Sequence, residues 1–344
     1  QKRHNIFTII IWMLLTAVSL TSCRKESVPA PSGDAMISFD SSVERTKALI
    51  NSVTDMSSFK VYGYYTVDGT FSSTAFDGTE VQRVGAQWTY SPARYWVPKG
   101  KYSFAAFHPA NASVRMVDSD IDENGVFEGL SFEYEKTGFY DDFMLATASI
   151  TTDEAKNDGY EVDLPFDHIL SNIKINIGFA DEVQNGTSIR ITRAEVNGMK
   201  SSATYTVGAG WSGLSTTSLQ FSSNISDVVL RKADGKIYNN DTELTDGVIS
   251  PTGDQGLTVI PVDLTNNGNV VKIVLNCEVS NNGSNYTPKK IEKTIRATPN
   301  VTEWQEGKSY TYKALLDVDY SISFSEPTVT DWEDEQATGS VIIK

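Results

Sequence analysis

Asp120, Asp122 and Asn124 stand at alternate positions and are followed by Gly125. That spacing is the opening of a calcium loop, in which a hard cation takes oxygen ligands from every second residue and a glycine makes the turn. The twelfth position of such a loop calls for a bidentate glutamate; here it is Ser131, and the flanks alternate as strands do. The competing reading is a solvated Asn-Gly hairpin turn. Otherwise the chain is poor in chemical groups. Its three histidines are His4, His108 and His168, too few and too scattered for a histidine-rich zinc site or a Ser-His-Asp constellation. His168 follows Asp167 and precedes an apolar alternation, a setting for a structural hydrogen bond. The pair Asp141-Asp142 has no base beside it in sequence, so no general acid–base pairing is read there.

The two cysteines have different settings. Cys277 lies in Val271-Lys272-Ile273-Val274-Leu275-Asn276-Cys277, an alternating strand pattern that predicts a buried, inert thiol. Cys23 ends the tetrapeptide Leu20-Thr21-Ser22-Cys23, with a branched apolar residue three positions before it and small residues between. This resembles a bacterial lipobox, whose cysteine thiol is lipidated and becomes the mature N-terminus. Upstream, Lys2 and Arg3 precede an uncharged apolar run from Ile6 to Leu20. At 1.5 Å per residue that run spans roughly 22 Å as a helix, short of a bilayer core of about 30 Å. Residues 1–22 therefore read as a lipoprotein signal peptide. Residues 23–35, with Pro29, Pro31, Ser32 and Gly33, read as a solvated tether.

Elements that would position such groups are short strands. The chain of 344 residues carries 36 aromatics, 24 glycines and a formal charge of −15. An acidic balance of that size argues against nucleic acid, which needs a basic face. Runs such as Lys60–Val67, Lys101–Pro109, Phe143–Thr151 and Tyr160–Phe166 alternate apolar and polar residues between turns at roughly 8- to 15-residue spacing, the pattern of a β-sandwich. Ile169–Phe179 sets Ile173, Ile175 and Ile177 on one face and is expected to close a first unit. A second series runs from Thr187 to Trp332. Lys47–Met56 is the best short-helix candidate. The reading is all-β, with two tandem β-sandwich domains over residues 36–180 and 181–344.

Several segments in order then carry a resemblance. The lipobox, an Arg45-Thr46 pair soon after Ile37-Ser38-Phe39, the stretches FKVYGYYT, RYWVPKGKYSFAAFHP, YDDFMLATA and LPFDHILSNIKINI, and finally WQEGKSYTY and TVTDWED, together resemble the fimbrillin family of Bacteroidales pilins. The resemblance implies two transthyretin-like β-sandwiches, export as an outer-membrane lipoprotein with Cys23 lipidated, and assembly at the cell surface with other fimbrial subunits. It further implies a trypsin-like maturation protease cutting between Arg45 and Thr46, which removes the first strand and the lipid together. The vacated groove then takes a strand from a neighbour, here the tail ending in Val341, Ile342 and Ile343.

Alternatives remain at this point. Arg45 also reads as an uncut surface residue of a lipid-retained anchor, and the tail as a strand docked on its own domain. Trp88, Tyr90, Tyr95 and Trp96 are core aromatics or a stacking surface for a host glycan or protein receptor, as a tip adhesin or a surface glycan-binding lipoprotein would need. No cofactor and no enzymatic activity are expected.

Overall fold

The computed structural model of the chain describes residues 35–43, 56–121 and 127–332. The expected signal peptide, the tether up to residue 34, the Arg45-Thr46 pair, the short-helix candidate before Met56 and the tail with Val341, Ile342 and Ile343 lie outside those residues.

The described chain is all-β apart from one short helix, and its strands form four sheets. The first sheet has the order β1 (Ser38–Val43), β9 (Glu161–His168), β8 (Met144–Thr151), β5 (Gly100–His108), β2 (Ser58–Val67), β3 (Thr70–Val84) and β4 (Gln87–Thr89). Its pairs are antiparallel except β1 with β9, which run parallel. The second sheet is built on β10 (Ser171–Phe179) and β21 (Lys308–Leu316). Beside them lie β17 (Val248–Ile249), β18 (Leu257–Val259), β22 (Ile322–Phe324) and β23 (Thr328–Asp331). The third has the order β16 (Thr242–Glu243), β15 (Lys236–Asn239), β14 (Ser218–Ala233), β11 (Ser188–Lys200), β19 (Val271–Ser280) and β20 (Thr287–Ile295). The fourth runs β13 (Gly210–Ser212), β12 (Ser202–Thr206), β7 (Phe127–Glu135) and β6 (Ser113–Ile121).

Three cores follow from the alternation. β5 is buried on both faces, which is why Lys101–His108 reads as a nearly continuous apolar run. Tyr102, Phe104 and Ala106 point into one core with Phe59 and Phe76, while Ala105 and Phe107 point into another with Phe132, Tyr134 and Tyr205 of the fourth sheet. The third core lies between the second and third sheets and contains Ile173, Ile175, Ile177, Ile191, Ile273 and Trp304.

The boundary expected near residue 180 does not separate the sheets. Ile173, Ile175 and Ile177 of β10 serve the third core, and β10 pairs in parallel with β21 from Asn172↔Ser309 to Phe179↔Leu316. In the other direction, β12 leaves the C-terminal half to pair with β7. Period-2 alternation gives a strand's faces but not its partner, so non-local pairings of this kind are invisible in it.

Alternation does not reveal β3 and β6, because their Ser, Thr, Gly and Asp content masks it. The helix α1 (Thr152–Asn157) is too short to show a helical period, although it carries a full capping box: Thr151 Oγ1 accepts from the Glu154 amide, and the Glu154 carboxylate accepts from the Thr151 amide. In β11 a bulge at Gly198 has φ of +95°, and a Cβ there would lie 1.9 Å from the Val270 carbonyl oxygen.

Candidate functional site

β1 sits at the end of the first sheet, and its register with β9 runs from Ser38↔Glu161 to Val43↔Phe166. Alternation turns Ile37, Phe39 and Ser41 inward, where all three are buried, while Met36 and Asp40 face outward and are exposed. The Phe39 ring enters an aromatic box. Phe59, Phe76, Tyr90 and Phe104 surround it edge-on, with centroids 5.4 to 5.9 Å away. Burial of Ile37 and Phe39 is worth about 1.5–3 kcal/mol each, and the edge-to-face contacts add to it.

Backbone and side-chain bonds clip the start of the strand. Ile37 N donates to Arg94 O at 2.9 Å, Trp96 N to Ala35 O at 2.9 Å, and Ser38 N to Tyr160 O at 3.2 Å. Tyr90 Oη donates to Ile37 O at 2.6 Å, and burial pushes that phenol up to about 12. Ser41 spoils the fit at the other end: its Oγ is buried with no hydrogen-bond partner among the described residues.

The predicted aromatics therefore serve the seat of β1. Trp96 is buried and its Nε1 donates to Tyr160 O, Trp88 packs at 4.9 Å on Phe59, and Tyr90 holds β1 directly. Tyr95 is the exposed one of the four. The walls of the groove come from positions 59, 76, 90 and 104, on four separate segments, so the aromatics stand out in the sequence by type while the space they enclose does not.

The other candidate groups are placed as follows. Asp120 lies in β6 opposite Glu128, whereas Asp122 and Asn124 lie outside the described residues. Cys277 is buried in β19, where burial pushes its thiol up to about 11. His108 is buried with Nδ1 2.7 Å from Ser58 O, and desolvation pulls its pKa down. Asp142 does find a base. Its Oδ1 lies 2.9 Å from His168 Nδ1, both side chains are buried, and the His168 ring stacks on Trp332 with centroids 4.7 Å apart. A carboxylate only accepts, so the ring proton sits on Nδ1. Next to this pair, Lys136 is buried with Nζ 2.6 Å from Thr258 Oγ1, and burial pulls its pKa down to about 8. The 26 residues between Asp142 and His168 hide this pairing from sequence.

The chain matches the family model described as fimbrillin-like over residues 46–332. Its fold is similar to that of a fimbrial protein from Bacteroides vulgatus, at 18% identity and a TM-score of 0.55, covering 86% of this chain and 99% of that one. Two candidate cell adhesion proteins of known structure are also similar. The one from Parabacteroides distasonis has 11% identity and a TM-score of 0.48 over 88% of this chain and 99% of its own. The one from Bacteroides ovatus has 12% identity and a TM-score of 0.46 over 88% of this chain and 100% of its own. No curated protein matches the chain.

Proposed function

The chain belongs to the fimbrillin-like family, and on that premise we propose that it is a structural subunit of a cell-surface fimbria that polymerises by β-strand exchange and supports adhesion. In this reading it is exported as an outer-membrane lipoprotein through Cys23 and cut by a trypsin-like protease between Arg45 and Thr46. Its tail, through Val341, Ile342 and Ile343, enters the groove of the next subunit. Its role is mechanical, with no turnover.

The observation that carries the proposal is the seat of β1. A terminal strand that buries Ile37 and Phe39 in a groove walled by residues of other strands is a removable plug, and its departure exposes both an apolar floor and an unpaired edge of β9. The position of Arg45 supports the reading: it follows the last residue of β1 by two positions, and the family model begins one residue after it.

Intact mass and N-terminal sequencing of the protein from its native cell surface test the proposal. A lipid-free form beginning at Thr46 is expected, with Arg45→Ala leaving a lipidated monomer. Normal filaments from Arg45→Ala would overturn cleavage at this site, and a mature form that keeps lipidated Cys23 would make the chain an anchor or a monomeric surface binder.

A further inference from the structure

β9 is held unequally on its two sides. On one side β1 pairs with it at six positions; on the other, β8 pairs with it at two, Met144↔His168 and Leu145↔Asp167. When β1 leaves, the ladder that supports residues 161–166 leaves with it. The start of β9 is still tied to the turn after α1, where Tyr160 N donates to Ala155 O at 2.6 Å. Its inward side chains Val162, Leu164 and Phe166 still face the core. The other end depends on what holds His168.

Its ring is held on two sides. His168 Nδ1 donates to the buried Asp142 carboxylate, which comes from the segment before β8. The opposite partner is Trp332, which lies against the imidazole at an interplanar angle of 21° and is itself 95% buried, with a relative exposure of 5%. Trp332 is locked in turn by its backbone: its N–H donates to Gly307 O at 2.8 Å, and Gly307 N–H donates to Leu170 O at 2.9 Å, two residues beyond His168. An imidazole fixed at one nitrogen and across one ring face has little rotational freedom left, and the strand end that carries it has little translational freedom.

We propose that His168, clamped between Asp142 and Trp332, is the positioning residue that keeps the receiving edge of β9 in register while the groove is empty. The inference rests on the strand-exchange reading above. It assigns a task to a buried pair that takes no part in seating β1, and it ties the receiving edge to Trp332, the last described residue before the proposed donor tail. A preformed edge accepts an incoming strand without first being ordered, so the clamp acts on the rate and tightness of uptake.

The test uses the full-length protein with an engineered protease site after Thr46, nicked so that β1 is retained without a covalent link. The probe is a fluorescent synthetic peptide of residues 35–43, and its uptake rate and Kd are measured. Nicked wild type is expected to exchange β1 for the peptide. Trp332→Ala is expected to weaken uptake by about tenfold or more, with Trp332→Phe, which keeps a stacking face, within about threefold of wild type. His168→Gln is expected to lose affinity as Trp332→Ala does and gives the same information should Trp332→Ala fail to fold. Hydrogen exchange of the β9 amides, with β11 as internal reference, separates a local effect from general destabilisation. Equal uptake by wild type, Trp332→Ala and His168→Gln overturns the clamp and leaves strand exchange standing. Absence of uptake by nicked wild type overturns strand exchange at this edge.

Discussion

Tyr90 holds Phe39 and the backbone beside it at the same time: its ring meets the Phe39 ring edge-on at 5.8 Å, and its hydroxyl donates to the carbonyl of the preceding alternate residue, Ile37. Removing the hydroxyl alone separates these two contributions. Tyr90→Phe keeps the ring and strands the Ile37 carbonyl, at a cost of about 1 kcal/mol. Release of β1 from nicked protein should therefore quicken several-fold, read by the dissociation rate of a labelled first strand, with the fold of the second and third sheets unchanged by hydrogen exchange.

Ser41 predicts the opposite sign. Its Oγ is buried with no partner among the described residues. Replacing it by Ala removes an unsatisfied polar group and leaves the neighbours undisturbed, so Ser41→Ala should gain about 1 kcal/mol in denaturant unfolding and slow the release of β1. Loss of stability in that variant would mean that the hydroxyl has a partner.

How much of this seat could be read from the amino-acid order is decided by distance along the chain. The inward pair Ile37 and Phe39 follows from alternation over four residues, and the aromatics at 88, 90 and 96 stand out by type. Their enclosure of Phe39 does not, because the box draws on β2, β3, β5 and the segment after β4. Parallel pairing of β1 with β9 joins residues more than 120 positions apart, which no local pattern encodes. The same limit hides the Asp142–His168 pair and the pairing of β10 with β21, since β10 has the periodicity of any strand and its partner lies far downstream.

Lys136 makes a pH prediction. Its folded pKa of about 8 lies below the ordinary lysine value of 10.5, with burial as the main cause and Asp141 and Asp142 opposing it. Between those two values the folded side chain is neutral while the unfolded one still binds a proton. The unfolded state thus holds more protons there, and stability rises with pH. Wild type should gain about 1–2 kcal/mol relative to Lys136→Met between pH 8 and 9.5, measured by urea unfolding at each pH. Taking the difference between the two proteins cancels Cys277, whose raised pKa acts with the opposite sign above its ordinary value of 9.0.

Glycines in the left-handed region divide by what surrounds them. Gly198→Ala would force a Cβ against the Val270 carbonyl at a φ of +95°, so a loss of more than about 2 kcal/mol is expected in thermal or urea unfolding. Gly69 shares the positive φ, at +76°, but a Cβ there meets nothing within 4 Å. Its alanine variant should cost only about 1 kcal/mol.

The parallel course of β1 along β9 also has a mechanical side. Ladder hydrogen bonds lie across the strands, so a pull along β1 strains all six register pairs together, while a pull at right angles opens them one by one. An incoming strand that follows the same course inherits that geometry. A joint of this kind withstands tension along its own axis far better than peeling, and force spectroscopy in the two directions on the nicked protein should show a higher rupture force for the axial pull.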